Sequence, residues 1–498
     1  MPMTFGELLN LACSNEAPNL CTDSRLVRAG DVFIAVKGTV YDGHDFIDQA
    51  LARGAKYIVC QEEQTSHESR AAGQKMIVVE NSAEAAALLA QAGRDNPASQ
   101  LTNLAVTGTN GKTTVAYLVR SCIQKAGEKC GLIGTIIYDT GENCSEARLT
   151  TPGCLDIART QQQMLTAGSK YMVIEASSHA LSQDRLAAIK FKAAAFTNLA
   201  GDHLDYHKTK AAYLTAKTKL FSSLSPDATA VLNKQSPEAE LIAERTDAKI
   251  LWYAVDEPAD LTAHIKSMDI TGTVFALESA GQSSIVKTPL PGRYNVSNHL
   301  AAAGLCLAAG LDLETIATGL SALKTIPGRL KKIDWNGSFS IFIDYAHTDD
   351  ALKNVLAMLK PFCKAKLTVV FGCGGDRDRT KRPRMAGVAE QFADSIIVTS
   401  DNPRTENPDD IISDIVAGFE TDPPVKNAHL RDTRYEIQDT KIIEPDRRKA
   451  IELAIKTAGT DDIILIAGKG HETYQIIGTQ KFNFSDKDIA QMCLRKIG

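Results

Sequence analysis

One short segment constrains the fold of this chain more than any other. It is a glycine-rich turn, Gly108-Thr-Asn-Gly-Lys-Thr-Thr114, between an apolar run and a helical stretch. Such a turn needs a strand before it and a helix after it, whose first N–H groups face a bound anion. Lys112 can neutralise phosphate charge, and Thr113 can offer a hydroxyl to Mg²⁺. The spacing is shorter than in the general P-loop, so the segment predicts a variant loop that binds ATP or GTP, and it leaves the reaction open.

The length and the apolar pattern predict three consecutive α/β domains. At 498 residues, and with about 100–200 residues per domain, the chain should form roughly three. Polar, proline-containing breaks at 93–99 and 325–329 give predicted domains over 1–97, 98–326 and 327–498. Near-continuous apolar runs predict a P-loop ATPase-like parallel sheet in the middle domain and a doubly wound, Rossmann-like last domain. The predicted strands cover 31–36, 57–60, 76–80, 104–106, 171–175, 193–197, 229–233, 339–343, 367–371, 395–399 and 463–466, with a helix over 83–92 in the first domain.

Composition excludes several classes of protein. A formal net charge of −5 provides no broad basic surface, so we expect no nucleic-acid partner. No apolar stretch approaches roughly 18 residues, and no basic segment precedes an apolar run near the N-terminus, so we expect a cytoplasmic protein without membrane insertion. The 11 cysteines contain no C-x-x-C pair and fit neither a disulfide framework nor a zinc site. We expect a monomer that acts on small molecules.

Two more groups of polar side chains follow predicted strands of the middle domain. Glu175 ends one strand, and Asp202-His-Leu-Asp-Tyr-His207 follows another. Ligands of open α/β sheets bind at the carboxyl ends of the strands, so both groups can reach the phosphate loop. The carboxylate suits Mg²⁺, and we expect at least one of these histidines to complete the metal site.

These segments resemble the ATP-dependent Mur ligases of peptidoglycan synthesis. The motifs G-T-N-G-K-T-T, E-A-S-S-H, T-N-x-x-x-D-H-L-D and A-K-T-K-L-F occur in the family's order. Four later motifs extend the resemblance over the whole chain: Leu290-Pro-Gly-Arg-Tyr-Asn295, Pro327-Gly-Arg329, Asp344-Tyr-Ala-His347 and Gly468-Lys-Gly-His-Glu472.

The resemblance implies a site for ATP and magnesium. The implied ATP contacts are Gly108, Thr109, Asn110, Gly111, Lys112, Thr113, Thr114, Asn295 and Arg329. The implied metal ligands are Thr113, Glu175, His203 and Lys217; the implied catalytic residues are Lys112, His203 and Lys217. Lys217 would be carbamylated to N6-carboxylysine, since a neutral amine captures CO₂ and the resulting anion can bind Mg²⁺. Lys219, two residues after Lys217, should point to a different face of the helix. Of Asn295 and His299, we expect only Asn295 in the site.

The resemblance also implies a substrate built on uridine diphosphate. The first domain would bind the UDP group through Thr22, Ser24, Thr39, Val40 and Tyr41. The middle domain would hold the muramoyl dipeptide through Thr150, Thr151, Ser177, Gln183 and Arg185. Arg185 suits a carboxylate or a pyrophosphate because its planar fork binds oxyanions in a bidentate manner.

The last domain should select the amino acid. In the branch of the family that adds meso-diaminopimelate, the resemblance implies contacts from Arg377, Asp401, Asn402, Pro403, Arg404, Gly468 and Glu472. Diaminopimelate has a second carboxylate that lysine lacks, and Arg404 with Arg377 can pair with it while Glu472 or Asp401 receives the ammonium. The Asn-Pro step also favours a simple β-turn, which can itself fix Arg404.

The sequence therefore predicts a three-domain, magnesium-dependent ligase that joins meso-diaminopimelate to UDP-N-acetylmuramoyl-L-alanyl-D-glutamate through an acyl phosphate made from ATP. Alternatives are the lysine-adding ligase of the same step, the D-alanyl-D-alanine-adding ligase, folylpolyglutamate synthetase and a non-catalytic nucleotide-binding scaffold. A scaffold would not need Lys112, Glu175, His203 and Lys217 together.

Overall fold

Three sheets follow one another along the chain. The computed structural model describes residues 3–61, 75–420, 425–426 and 440–497. Within them lie sheets of four, 11 and seven strands and a separate two-stranded hairpin. This arrangement is the α/β class that the sequence predicts. The domain boundaries stay predictions.

The first sheet is parallel, in the order β1-β2-β3-β4. Its strands are β1 (Leu20–Cys21), β2 (Val32–Ile34), β3 (Tyr57–Cys60) and β4 (Lys75–Val78), and its helices are α1 (Phe5–Ala12), α2 (Ile47–Ala52) and α3 (Ser82–Ala92). Asn81 begins α3 because its side chain accepts from two N–H groups of the first turn. Gln91 in this helix donates to Gln161 over 2.7 Å and ties the first sheet to the middle of the chain.

The second sheet has the order β15-β14-β13-β12-β11-β10-β5-β9-β6-β7-β8. The strands are β5 (Thr102–Thr107), β6 (Cys130–Ile133), β7 (Ile137–Asp139), β8 (Cys144–Glu146), β9 (Tyr171–Glu175), β10 (Ala193–Phe196), β11 (Thr229–Asn233), β12 (Lys249–Val255), β13 (Leu261–Asp269), β14 (Gly272–Ser279) and β15 (Gln282–Thr288). The helices are α4 (Lys112–Lys125), α5 (Cys154–Thr166), α6 (Ser178–Ser182), α7 (Leu204–His207), α8 (Lys210–Ser222), α9 (Glu238–Ala243), α10 (Arg293–Ala308) and α11 (Leu313–Ala322).

Both faces of the second sheet are covered. Leu104 and Val106 of β5 face a core shared with α4, α10 and α11, whereas Ala105 faces a core shared with α5 and α8. Burial on both sides explains the near-continuous apolar runs of the central parallel strands. The antiparallel strands at both ends, β7, β8, β14 and β15, were not predicted; β8 and β15 lack such runs because they are largely exposed.

The third sheet has the order β16-β17-β22-β18-β19-β21-β20, parallel except for its β16-β17 pair. Its strands are β16 (Lys331–Lys332), β17 (Ser340–Asp344), β18 (Leu367–Phe371), β19 (Ser395–Val398), β20 (Val425–Lys426), β21 (Lys441–Ile443) and β22 (Ile463–Ala467), and the hairpin is β23 (Tyr474–Ile477) with β24 (Gln480–Asn483). The helices are α12 (Asp349–Leu359), α13 (Lys381–Phe392), α14 (Pro408–Val416), α15 (Arg447–Lys456) and α16 (Asp486–Ile497). The carboxyl ends of β17, β22, β18 and β19 therefore lie side by side.

Candidate active site

The phosphate loop connects β5 to α4 as the sequence predicts. Gly108 and Gly111 have φ of +147° and +90°. A Cβ on Gly108 would lie 1.9 Å from Oγ1 of Thr197, and one on Gly111 would lie 2.2 Å from Oδ1 of Asn298. Both glycines are thus required by backbone conformation and by side chains packed against the loop, as well as by the approach of a phosphate. The Nζ atom of Lys112 donates to the carbonyls of Gly108 and Thr109, each over 2.8 Å.

A buried carboxylate lies beside the start of α4. Glu175 accepts from the hydroxyl of Thr113 over 3.0 Å and from the N–H and hydroxyl of Thr135 over 2.9 Å each. Glu175 is fully buried. One carboxylate and one hydroxyl suit Mg²⁺, which takes few protein ligands and completes its shell with water and substrate phosphates. The described parts of the chain contain no group of three or more His, Cys, Asp or Glu placed to hold a metal, and a phosphate-bound Mg²⁺ does not require one.

Lys217 lies on the other side of the phosphate loop. Its side chain on α8 is buried, and Nζ donates to the carbonyl of Gly108 over 2.9 Å. Burial lowers the pKa of Lys217 well below its usual value, and the charge of Lys112 lowers it further. The lowered pKa favours the neutral amine, which is the form that carbamylation requires. Lys219 instead pairs with Asp184 over 3.1 Å at the surface, so it points to a different face.

Histidines and Asp202 form the wall opposite Glu175. His203 has a φ of +55°, and its Nε2 lies 3.5 Å from the Asp202 carboxylate. Burial lowers the pKa of His203 to about 4, so the imidazole is neutral and able to bind a metal at neutral pH. Burial alone would raise the pKa of Asp202, but the charges of His203, His347 and Lys381 bring it to about 2. His347 and Lys381 belong to the third sheet's part of the chain.

Arg329 and Asp350 join the two halves of the site. Arg329 donates to the hydroxyl of Thr113 over 3.0 Å, while its buried Nε has no hydrogen-bond partner among the described residues and can bind an anion. Asp350, at the start of α12, accepts from the side chain of Asn110 over 2.7 Å. The phosphate loop thus contacts the last domain directly.

These residues surround one cavity of about 350 Å³. It is lined by the predicted residues Thr109, Asn110, Gly111, Lys112, Thr113, Thr114, Thr150, Glu175, Ser177, His203, Lys217, Asn295 and Arg329, and by Thr135, Asn298, Asp344, Tyr345 and His347 among others. His299 does not line it; its Nδ1 faces the carbonyl of Asn295 over 2.7 Å.

The residues predicted to hold the muramoyl dipeptide form a connected group next to this cavity. Thr151 donates to the carbonyl of Glu175 over 2.6 Å and accepts from the N–H of Ser177 over 3.0 Å. Arg185 donates to the carbonyl of Thr151 over 2.7 Å and to the side-chain oxygen of Gln183 over 2.6 Å. Arg185 has no carboxylate partner among the described residues, so its charge is available to an anionic substrate.

The residues predicted to bind UDP lie apart, in the segments that follow β1 and β2 of the first sheet. Thr22, Thr39, Val40 and Tyr41 are exposed. Ser24 is buried, and its hydroxyl donates to Gln49 over 2.5 Å. A uridine contact through Ser24 would need this bond to be shared or replaced. All these residue roles stay predictions.

The predicted amino-acid site lies at the carboxyl edge of the third sheet. Asp401 and Asn402 are buried, and Asn402 donates to Glu472 over 2.9 Å. Arg404 has a φ of +51°; its N–H donates to the carbonyl of Ile476, and its own carbonyl accepts from the N–H of Gly478. The turn is thus fixed against hairpin β23-β24. The guanidinium of Arg404 donates to the carbonyl of Gly375 over 2.7 Å.

Several residues of these sites were not predicted from the sequence. Thr135 and Asp350 occur in no motif that was singled out. His347 and Lys469 stand inside recognised motifs, but they received no role because nothing in the sequence places them next to Asp202 or Asp401. The 11 cysteines are free thiols, and Cys373, next to the amino-acid region, is buried.

A phosphate loop, a buried carboxylate and a buried lysine around one cavity define a nucleotide-dependent enzyme that handles phosphoryl groups. Three family models match the chain: the Mur ligase family catalytic domain over 17–94, the Mur ligase middle domain over 106–306 and the Mur ligase glutamate ligase domain over 328–470. The chain belongs to the Mur ligase family.

Similar proteins cover nearly the whole chain. UDP-N-acetylmuramoyl-L-alanyl-D-glutamate–2,6-diaminopimelate ligase from Geobacillus kaustophilus is 41% identical over 482 residues, 96% of this chain and 94% of the relative. A solved structure of a ligase with the same name is 30% identical with a TM-score of 0.64, covering 100% and 99% of the two chains. MurF ligase from Thermotoga maritima in complex with ADP is 18% identical with a TM-score of 0.60, covering 99% and 100%, and shares the fold. No helix among the described residues is long and apolar enough to cross a membrane.

Proposed function

We propose that this chain is an ATP-dependent amide ligase that joins meso-diaminopimelate to UDP-N-acetylmuramoyl-L-alanyl-D-glutamate in peptidoglycan synthesis. Relatives that match nearly the whole chain carry this activity in their names. The observation that carries the substrate choice is Arg404, which lies near the side chain of Arg377 and near the carboxylates of Asp401 and Glu472. Burial lowers the pKa of Arg404, and the nearby charge of Arg377 lowers it further. Two cations that repel each other favour a carboxylate between them.

ATP would occupy the cavity with its phosphates on the loop from Gly108 to Thr114. The N–H groups at the start of α4 and the ammonium of Lys112 face the phosphate positions. Among the described residues, the ammonium of Lys112 has carbonyl partners only, so a phosphate can pair with it without breaking an ion pair. Arg329 provides a second cation through its unpartnered Nε, and Asn295 lines the same cavity.

Magnesium fits the donor set next to these phosphates. Thr113 and Glu175 would hold one ion, and His203 with carbamylated Lys217 would hold the second. The ions would reduce the negative charge that accumulates on the phosphates. Carbamylation adds CO₂ to the neutral amine of Lys217 and releases one proton. The nitrogen keeps one N–H, which can continue to donate to Gly108.

The reaction consists of two displacements. The glutamyl carboxylate attacks the γ-phosphate, the bond to ADP breaks, and an acyl phosphate forms. The amine of the amino acid then attacks the acyl carbon, inorganic phosphate leaves, and the amine loses a proton as the amide forms. Thr151, Ser177 and Arg185 would orient the dipeptide, and Lys112 and Arg329 would stabilise charge at the phosphate, so catalysis is mainly positioning and electrostatic stabilisation.

The lysine-adding ligase is the second candidate for this step. Lysine has an ammonium for Glu472 or Asp401 but no carboxylate for Arg404, so a site with both arginines leaves them unpaired and disfavours lysine. The D-alanyl-D-alanine-adding ligase and folylpolyglutamate synthetase share the fold but are less similar in sequence.

An amino-acid panel with phosphate release as the readout tests the proposal. We expect release only when ATP, the UDP-muramoyl dipeptide and meso-diaminopimelate are all present. Comparable turnover with L-lysine would contradict the choice of amino acid, and release without any amino acid would contradict the ligase reaction. Omitting Mg²⁺ should stop turnover.

We also propose domains over 1–97, 98–326 and 327–498, and a monomeric enzyme acting in the cytoplasm, where ATP and a UDP-linked substrate meet. Each described sheet falls inside one of these ranges. Light scattering of the purified protein would test the monomer.

A further inference from the structure

A fully buried lysine lies at the centre of the amino-acid region. Lys469 follows β22, and its side chain has no exposed surface. Its Nζ donates to the carbonyl of Tyr474 over 2.7 Å and to Oδ1 of Asn402 over 2.9 Å. The same atom lies 3.4 Å from a carboxylate oxygen of Asp401 and 3.4 Å from one of Glu472. One ammonium therefore contacts two segments that are about seventy residues apart.

These contacts fix the orientation of Asn402. Its Oδ1 accepts from Lys469 and from the N–H of Ile476 over 3.0 Å, so its Nδ2 is directed at Glu472 over 2.9 Å. Without Lys469, the Oδ1 atom of Asn402 would keep one donor, the N–H of Ile476, so a flipped amide that places an oxygen against the Glu472 carboxylate would be opposed less strongly. Lys469 thus determines which group Asn402 presents to the site.

Lys469 also sets the charge of the region. Asp401 and Glu472 contribute two negative charges, and Lys469 removes one of them, which leaves a single negative charge for one ammonium of the substrate. Arg447 faces the same carboxylates from α15, but its guanidinium is already paired with buried Asp486 over 2.7 Å. Arg404 faces them from the turn after β19, with Arg377 and Asp376 beyond it, and Tyr345 and Tyr474 face Glu472 as neutral phenols.

We propose that Lys469 is a positioning and specificity residue for the amino-acid substrate: it orients Asn402 and Glu472 and limits the site to one unpaired negative charge. This inference rests on the proposed function, since it assumes that the region between Asp401 and Glu472 receives an amino acid. Lys469 acts through its neighbours and does not need to touch the substrate.

The pH dependence separates this role from a purely structural one. Burial raises the pKa of Glu472, and the negative charge of Asp401 raises it further, while Lys469 and Asn402 oppose both effects. Removing the lysine should therefore raise this pKa, so that Glu472 becomes protonated and loses its attraction for an ammonium at a higher pH than in the wild type.

The test compares Lys469→Met and Lys469→Arg with Lys441→Met in the full-length enzyme. Lys441 is a suitable control because it is also buried in the third sheet's part of the chain and pairs with Glu390, away from this region. For Lys469→Met we expect a KM for diaminopimelate raised about tenfold or more, a KM for ATP changed less than about twofold, and an acidic limb of kcat/KM moved up by about one pH unit. Lys469→Arg should raise KM and leave the acidic limb in place, because the charge remains and the geometry does not.

Lys441→Met should change the KM for diaminopimelate and the KM for ATP by less than about twofold and should leave the acidic limb of kcat/KM in place. An unchanged KM for diaminopimelate in Lys469→Met, or an acidic limb that does not move, would overturn the proposal. If Lys469→Met does not fold, an unchanged KM in Lys469→Arg overturns it instead. If the wild type uses another amino acid, the proposed substrate fails, and the same comparison made with that amino acid still decides the role of Lys469.

Discussion

The phosphate end and the amino-acid end of this molecule handle charge in opposite ways. At the phosphate end, Lys112 donates to loop carbonyls and Arg329 donates to the hydroxyl of Thr113, so neither cation is paired with a carboxylate among the described residues. At the amino-acid end, Lys469 lies between two carboxylates, and Arg404 donates to a carbonyl. The first region is ready for a polyanion, and the second presents separate positive and negative groups to a zwitterion.

The two regions also differ in how they are built. The phosphate loop, the strand before it and the helix after it form one continuous segment, and Glu175, Lys217 and Arg329 join it from elsewhere in the chain. The amino-acid end depends on turns that follow β18, β19 and β22, together with a hairpin that holds Arg404 at a positive φ. A local motif specifies the general chemistry, whereas several distant segments specify the substrate.

The largest effect should come from removing Lys217. We expect Lys217→Ala to lower kcat by about 100-fold or more, because a group that stabilises charge in the transition state is lost. Added formate or acetate should restore part of the activity by replacing the carbamate. Lys219→Ala is the matched control, since Lys219 belongs to the same helix but pairs with Asp184, and it should retain kcat within about twofold. Full activity in Lys217→Ala would contradict a role for the carbamate.

Arg404→Ala should affect the amino-acid end of the site and leave the phosphate end unchanged. We expect the KM for diaminopimelate to rise about 10- to 100-fold, as for the loss of hydrogen bonds to a charged group, and the KM for ATP to change less than about twofold. Arg379→Ala removes a neighbouring arginine that pairs with Asp414 at the surface, and it should leave both constants near wild type. If both KM values rose together in Arg404→Ala, the two ends would not be separable.

Gly111→Ala should disturb the phosphate loop through sterics. Gly127 has a similar φ of +83°, and a Cβ added there would meet nothing within 4 Å, so Gly127→Ala isolates the cost of the left-handed backbone. We expect Gly111→Ala to be about 1–3 kcal/mol less stable than Gly127→Ala, because its Cβ would meet Asn298. Its KM for ATP should also rise. Equal melting temperatures for the two variants would show that the loop can move away from Asn298.

The effect that is smallest at pH 7, and grows as the pH is lowered, concerns a buried imidazole beside the phosphate end. Burial lowers the pKa of His299 from 6.5 to about 4. Between these values the unfolded chain binds a proton that the folded protein does not, so the stabilisation present above pH 6.5 declines as the pH falls and is lost through pH 4. For one proton, the free energy of unfolding changes by about 1.4 kcal/mol per pH unit. Denaturant unfolding at pH 7, 5.5 and 4 gives the free energy of unfolding at each pH. For His299→Gln we expect this free energy to fall less steeply with decreasing pH than in the wild type, by the slope that one proton contributes. An unchanged slope would contradict the neutral imidazole.

Much of the fold could be read from local patterns. The strands at 57–60, 171–175, 229–233 and 367–371 lie where the apolar runs predict them, because burial on both faces demands such runs. The antiparallel strand β15 was missed because it is largely exposed and polar. Lys217 and Lys219 look alike in the sequence, and only the family motif distinguished them.

The sequence by itself determined a phosphate loop, a three-part α/β chain and membership of a family, because strand, glycine turn and helix are adjacent in the chain and are fixed by backbone conformation. Only the tertiary structure placed Asp350 on Asn110, Arg329 on Thr113 and Lys469 between Asp401 and Glu472. The contacts of Lys469 arise because parallel strands bring their carboxyl ends to one edge of a sheet whatever their separation in sequence, whereas the contacts of Asp350 and Arg329 join segments of the second and third sheets. Side chains that are distant in the chain become neighbours there, and burial then sets their charge and orientation.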